Sequence, residues 1–159
     1  MTVLVPLPPE GFAAFVEDAN AGYARDNVVA GRWTSDEAPV RARAEFEQLL
    51  PQGLATPGHH VYEIRDEASD DAVGHLWFTL EGAGEARSAY VYSILVKSPF
   101  RRRGHATAAL SWLEQFAAAR GATGIRLNVF AHNPNAQALY RALGYAVTAM
   151  TMRKSLQAD

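Results

Sequence analysis

Apolar residues recur along this chain with two periods, and the changes between them mark out its elements. "TVLVPL", residues 2–7, predicts a short first strand. Pro8 and Pro9 then open a helix over about residues 10–29. Phe12, Phe15, Val16, Ala19 and Tyr23 fall at i, i+3, i+4, i+7 and i+11, which puts them on one side of that helix. Gly31 stops it. Thr34, with Glu37 three residues later, resembles a capping box and predicts a second helix to about Leu50, before Pro51. After the loop "PQGLATPG", the runs "HVYEIR" and "AVGHLWFTL" read as two strands of a hairpin around "DEASDD". "AYVYSILV" is a strand with almost no polar residue, as expected of a central one.

The second half is more regular. A helix from about Arg103 to Arg120 carries Ala106, Ala109, Leu110, Leu113 and Phe116 on one side, with Gly121 as its stop. "GIRLNVF" alternates as a strand. Asn133 caps a further helix whose first residue is Pro134, where a missing N–H costs nothing, and Gly144 ends it. "YAVTAMTMRKSL" reads as a final strand. With no repeat and no linker, the whole chain, 1–159, is expected to form a single α/β domain.

Composition narrows the possibilities. At 159 residues and 48% hydrophobic, the chain can bury a real core. A net charge of −2 disfavours a dedicated nucleic-acid binder. Without cysteine there is no disulfide framework, thiolate metal site or cysteine nucleophile. The amino terminus lacks a basic n-region, and no run reaches the ~18 apolar residues of a membrane span, so a cytoplasmic protein away from membranes is expected. No H-x-x-x-H or H-E-x-x-H occurs among the five histidines, so no metal is expected.

One stretch carries candidate chemistry. In "SPFRRRGHATAAL", Arg101, Arg102 and Arg103 precede Gly104 between a buried strand and a helix. The first turn of a helix offers unpaired N–H groups, and a glycine lets an anion approach where a Cβ would collide. The alternative is a glycine-punctuated loop with solvated arginines. There is no G-x-x-x-x-G-K-[ST] and no G-x-G-x-x-G, which excludes a nucleoside-triphosphate loop and a dinucleotide fingerprint. Later, in "HNPNAQALYRALGY", Asn133, Ala136 and Tyr140 lie along one side of a helix. A cap and a core-edge aromatic would explain these residues too.

Taken together, the two segments resemble the GNAT superfamily of acetyl-CoA-dependent N-acetyltransferases. Arg101-x-x-Gly104-x-Ala106 fits its [QR]-x-x-G-x-[GA] loop, and residues 133–145 fit N-x-x-A-x-x-L-Y-x-x-x-G-[FY] at every fixed position. The resemblance implies a mixed, mostly antiparallel sheet flanked by helices, with splayed central strands holding the CoA. It also implies that Ile94, Leu95 and Val96 pair with the pantetheine arm. The loop Arg101, Arg102, Arg103, Gly104, His105 and Ala106 would cradle the pyrophosphate. Asn133 and Ala136 would contact the cofactor, and Tyr140 would protonate the departing thiolate. The acceptor implied is a small-molecule or peptide amine. Trp33, Tyr92 and Asn128 are candidates to line its site, and Glu63 or Tyr92 could act as a base through a water. Asn128 stands where members acting on protein N-termini often carry a glutamate. A catalytically silent acyl-CoA sensor is the alternative reading, and a homodimer is compatible but not legible in the sequence.

Overall fold

The computed structural model describes residues 1–157. In chain order the elements are β1 (Thr2–Pro6), α1 (Phe12–Val29), α2 (Ala38–Leu49), β2 (His59–Asp66), β3 (Ala72–Glu81), β4 (Ser88–Val96), α3 (His105–Ala118), β5 (Gly124–Leu127) and α4 (Pro134–Ala142). The strands form one sheet in the order β1-β2-β3-β4-β5. Neighbours from β1 to β4 are antiparallel, and β5 joins β4 in parallel. This is the expected α+β architecture.

Alternation along the strands feeds two cores. Phe15 and Ala19 of α1 and Phe46 of α2 pack with Val61 and Trp77 on one face. Leu113 and Ala117 of α3 pack with Leu76, Phe78, Ala89 and Val91 on the other. The apolar stripes read from the sequence for α1 and α3 are the faces that the helices bury, although Tyr23 stays 36% exposed. Of the predicted capping box only one bond forms, Glu37 N–H to Thr34 Oγ1 at 3.4 Å. The helix proper begins later, at Ala38.

Two departures matter for the site. The strand expected over "GIRLNVF" ends at Leu127, so Asn128 lies just beyond it. The final strand expected over residues 145–156 does not form: the described residues beyond Gly144 carry no regular element and, from residue 146 on, are exposed. A strand needs a paired neighbour as well as a β-prone sequence, and among the described residues this segment pairs with none, although one edge of β5 is open.

Strand β4 does two different things along its length. From Ser88 to Val91 it is bonded on both sides, to β3 and to β5. Beyond Val91 it continues to Val96 against β3 alone, and the two parallel strands part. A bulge sits at the parting point. Trp77 opposes Ser93 while Phe78 opposes Val91, so Tyr92 is the extra residue. A bulge bends its strand and re-aims side chains, which here opens one edge of β4. Gly74 of β3 is also fixed by this geometry, since a Cβ there would lie 1.9 Å from the Leu95 carbonyl oxygen.

Candidate functional site

The open edge of β4 leads directly into the arginine loop. Lys97 N–H bonds back to Val73 on β3 at 2.7 Å, so alternation turns the Val96 N–H toward the open side. Ile94, Leu95 and Val96 are half-buried there. The chain then turns through a left-handed Arg102, φ 64°, and a left-handed Gly104, φ 83°, which is the N-cap of α3. No side chain caps that helix, and a Cβ placed on Gly104 would meet nothing within 4 Å. The first N–H groups of α3 are therefore left without a side-chain cap, at the positive end of its dipole.

Charge surrounds this opening. Arg101 Nε donates to the Val96 carbonyl at 2.9 Å and closes the loop onto the end of β4. The Arg103 guanidinium lies 5.8 Å from the Phe100 ring. Among the described residues, none of the three arginines is engaged by a carboxylate. His105 behaves differently. Its side chain is buried toward β1, with Nδ1 2.9 Å from Thr2 Oγ1 and Nε2 3.8 Å from Asp66 Oδ2. Only its backbone belongs with the opening, beside the half-buried Ala106.

Helix α4 presents the second motif. The Asn133 side chain accepts the Ala136 N–H at 3.3 Å, so its oxygen is occupied as a cap while its amide NH2 keeps its donors. Ala136 and Tyr140 are half-buried, and the Tyr140 ring lies 5.6 Å from that of Tyr145. Burial raises the Tyr140 phenol above its usual value of 10, which keeps it protonated at neutral pH. His132, in the loop before α4, reaches Asp26 of α1 at 2.9 Å and ties the loop to that helix.

The three acceptor-side candidates separate. Trp33 is buried between α1 and α2 against Ala38 and Ala42, with Tyr23 edge-on at 5.4 Å. Its ring plugs the helix pair and is capped by the Arg32 and Arg41 guanidinium groups at 5.7 and 5.9 Å. Asn128 is exposed just past β5. Tyr92, the bulged residue, stacks on Trp77 at 4.8 Å and lies 4.8 Å from Tyr90. Glu63 is engaged by Arg65.

Around Tyr92 stand residues that sequence reasoning passed over. His59 lies 5.5 Å from the Tyr92 ring, and its Nδ1 accepts the Trp77 indole N–H at 2.9 Å. Burial lowers the His59 pKa, and Glu81 opposes that shift. His75 Nε2 is 2.8 Å from Ser93 Oγ, and burial, assisted by Lys97, pushes its imidazole down to about 4. One signal for the group was legible: with period 2, His75, Trp77, Thr79 and Glu81 share a face of β3. Among the described residues, no cluster of three or more histidine or acidic side chains is arranged to hold a metal ion. No helix among them is long and apolar enough to cross a membrane.

Comparison with known proteins extends this picture. The family model described as the acetyltransferase (GNAT) family matches residues 12–145. The uncharacterized N-acetyltransferase YycN of Bacillus subtilis is 35% identical over 98% of this chain and 100% of its own length. The uncharacterized N-acetyltransferase YdgE of the same organism is 33% identical over 96% of this chain and 97% of its own. The crystal structure of YycN superposes with a TM-score of 0.93, covering 99% of this chain and 100% of that one.

Proposed function

Because this chain belongs to the GNAT family of N-acetyltransferases, we propose that it moves an acetyl group from acetyl-CoA to an acceptor amine by direct transfer in a ternary complex. The observation that carries this reading is the one-sided edge of β4 running into an uncapped, left-handed helix start. Family membership implies acetyl-CoA use, and the residues present fit that ligand. The peptide groups of Ile94, Leu95 and Val96 would accept the pantetheine arm as an added strand. Backbone N–H groups from Arg102 to Ala106 would take the pyrophosphate, and the uncommitted arginines would add charge-assisted contacts. No Cβ at Gly104 obstructs that approach. Asn133 would bond the arm through its amide NH2, since its oxygen already caps α4.

Acetyl-CoA supplies the thioester that the amine attacks. The chain's own residues orient the reactants and handle the protons. The Val96 N–H, on the open side of β4, would stabilise charge developing on an acyl oxygen. Tyr140 Oη holds its proton at neutral pH and can deliver it to a leaving sulfur. On the acceptor side, Tyr92 and the aromatic group around it would bound the amine, and Asn128 would orient it by hydrogen bonding. Glu63 is held by Arg65, and the Glu81 carboxylate near Tyr92 already accepts the Thr79 hydroxyl at 3.0 Å. The acceptor would therefore enter neutral or lose its proton to water, and kcat/KM should follow the amine's own ionisation.

The test is acetyl-CoA turnover against an amine panel, read as released thiol, with two variants. Gly104→Trp should abolish CoA binding by calorimetry while the fold persists. CoA affinity equal to wild type in that variant would remove the cradle. Tyr140→Phe should lower kcat by ~10²–10⁴-fold with little change in CoA affinity. Undiminished turnover would return Tyr140 to a packing role.

A further inference from the structure

The first turn of α3 closes the arginine loop, and it starts without help from a cap. Two left-handed residues, Arg102 and Gly104, lead into it, and no side chain accepts its first N–H groups. An uncapped helix start frays readily. Of residues 105–108 only His105 is buried, at 3% exposed. The side chain that fastens this turn to the rest of the protein is therefore His105.

Its imidazole points away from the loop, to the start of β1 and the end of β2. Nδ1 lies 2.9 Å from Thr2 Oγ1, and Nε2 lies 3.8 Å from Asp66 Oδ2. Thr2 and Asp66 are register partners across the two strands, so one ring spans the pair. The Asp66 carboxylate accepts the Ala68 N–H at 2.9 Å, which holds it below the usual carboxylate range and ionised. A bare Nε2 lone pair would be repelled by that anion. The neutral ring therefore carries its hydrogen on Nε2, and the Thr2 hydroxyl donates to Nδ1. Nε2 is buried without a hydrogen-bond partner. Packing alone does not ask for such a group. One turn later Ala109 is buried among Ile64 and Val73 with no polar side-chain atom, and a leucine at 105 would leave no buried N–H unpaired.

We infer that His105 is a positioning residue for the pyrophosphate loop: anchored to Thr2 beside Asp66, it fixes the first turn of α3 before the cofactor arrives. This rests on reading the loop as the CoA cradle. His105 acts through its backbone, since its ring lies on the far side of the turn from the opening. The anchor sets the direction of the N–H groups from Arg102 to Ala106, and a ligand that meets ordered donors does not have to order them. It also makes the first strand part of the cradle, although β1 is remote from the loop in sequence.

Calorimetry with CoA and amide exchange without ligand test this together. His105→Leu, which fills the space but keeps no polar atom, should weaken CoA binding by ~5-fold and raise the KM for acetyl-CoA more than it lowers kcat. His105→Asn, which keeps a polar atom near the position of Nδ1, should bind CoA more tightly than His105→Leu. Thr2→Val should weaken binding in the same direction with kcat unchanged, and it decides the matter even if the leucine variant fails to fold. In both His105→Leu and Thr2→Val the Ala108 N–H, bonded to the Gly104 carbonyl at 3.0 Å, should exchange faster relative to Leu113 on the same helix. CoA affinity equal to wild type in Thr2→Val, or Ala108 exchange unchanged relative to Leu113, would overturn the inference. A wild type that bound no CoA would overturn the cradle reading itself, whereas Ala108 exchange, read without ligand, judges the anchor alone.

Discussion

The two faces of the sheet are made by the same strands and carry different chemistry. Under α3, Leu76, Phe78, Ala89 and Val91 meet Leu113 and Ala117 in an apolar core, with His60 stacked on Phe78 at its margin. Under α1 and α2, Phe15, Phe46 and Trp77 share the surface with His59, His75, Ser93 and Tyr92. Polar side chains buried on the second face have to be desolvated and then re-bonded, as His75 is to Ser93 and His59 to Trp77, which a purely stabilising surface would avoid. The difference teaches a division of labour. Alternation along each strand sends the stabilising residues to one side and the polar ones to the side where the bulge at Tyr92 opens the sheet.

The most severe test of that division is truncation on the apolar face. Phe78 is completely buried, and Phe78→Ala should cost ~3–5 kcal/mol in urea unfolding. Tyr92→Phe, on the other face, should cost ~1 kcal/mol or less while changing acceptor KM or kcat. Equal losses of stability from the two variants would break the comparison.

Much of this organisation was legible before the structure. The stripe Ala109, Leu110, Leu113 announced which side of α3 is buried, because a 3.6-residue period leaves one solution. The loop at Gly104 and the cap at Asn133 were legible because each follows local rules of backbone conformation. The bulge at Tyr92 was not, since an extra residue exists only relative to the strand opposite. Trp33 read as a candidate for the acceptor site, and its burial depends on how α1 meets α2. The tail failed for a related reason: sequence reports the β-propensity of residues 145–156 but not whether an edge pairs with them, and none does among the described residues.

A middle-sized effect comes from His75. Its imidazole sits at about 4 in the native protein, mainly through burial, against 6.5 unperturbed. Above pH 6.5 neither state binds the proton. As pH falls toward 4, the unfolded chain takes it up while the native one does not, so stability falls with pH across that window. At roughly 1.4 kcal/mol per unit the loss approaches about 3 kcal/mol. His75→Gln should flatten this part of the profile, measured by urea unfolding at several pH values. Profiles for variant and wild type that run parallel from pH 6.5 to 4 would mean that the polar face carries no such cost.

The smallest effect is the sharpest in sign. His59 Nδ1 accepts the Trp77 indole N–H, so the neutral ring carries its own hydrogen on Nε2. Charging the ring requires a proton on Nδ1 and breaks that bond. Burial holds the pKa below 6.5, and the nearby Glu81 carboxylate pulls it back up. Two substitutions should therefore move it in opposite directions. Glu81→Gln removes the favourable charge and should lower the His59 pKa further. Trp77→Phe removes the bond that favours the neutral ring and should raise it. Nitrogen NMR titration of His59 reads both shifts and reports the tautomer directly. Shifts of the same sign, or an Nδ1-protonated neutral ring, would refute this local electrostatics. With the opposite signs, His59 enters neutral-pH chemistry as an Nε2–H donor beside Tyr92. An acceptor there would meet a hydrogen-bond donor, which agrees with a transfer that needs no histidine base.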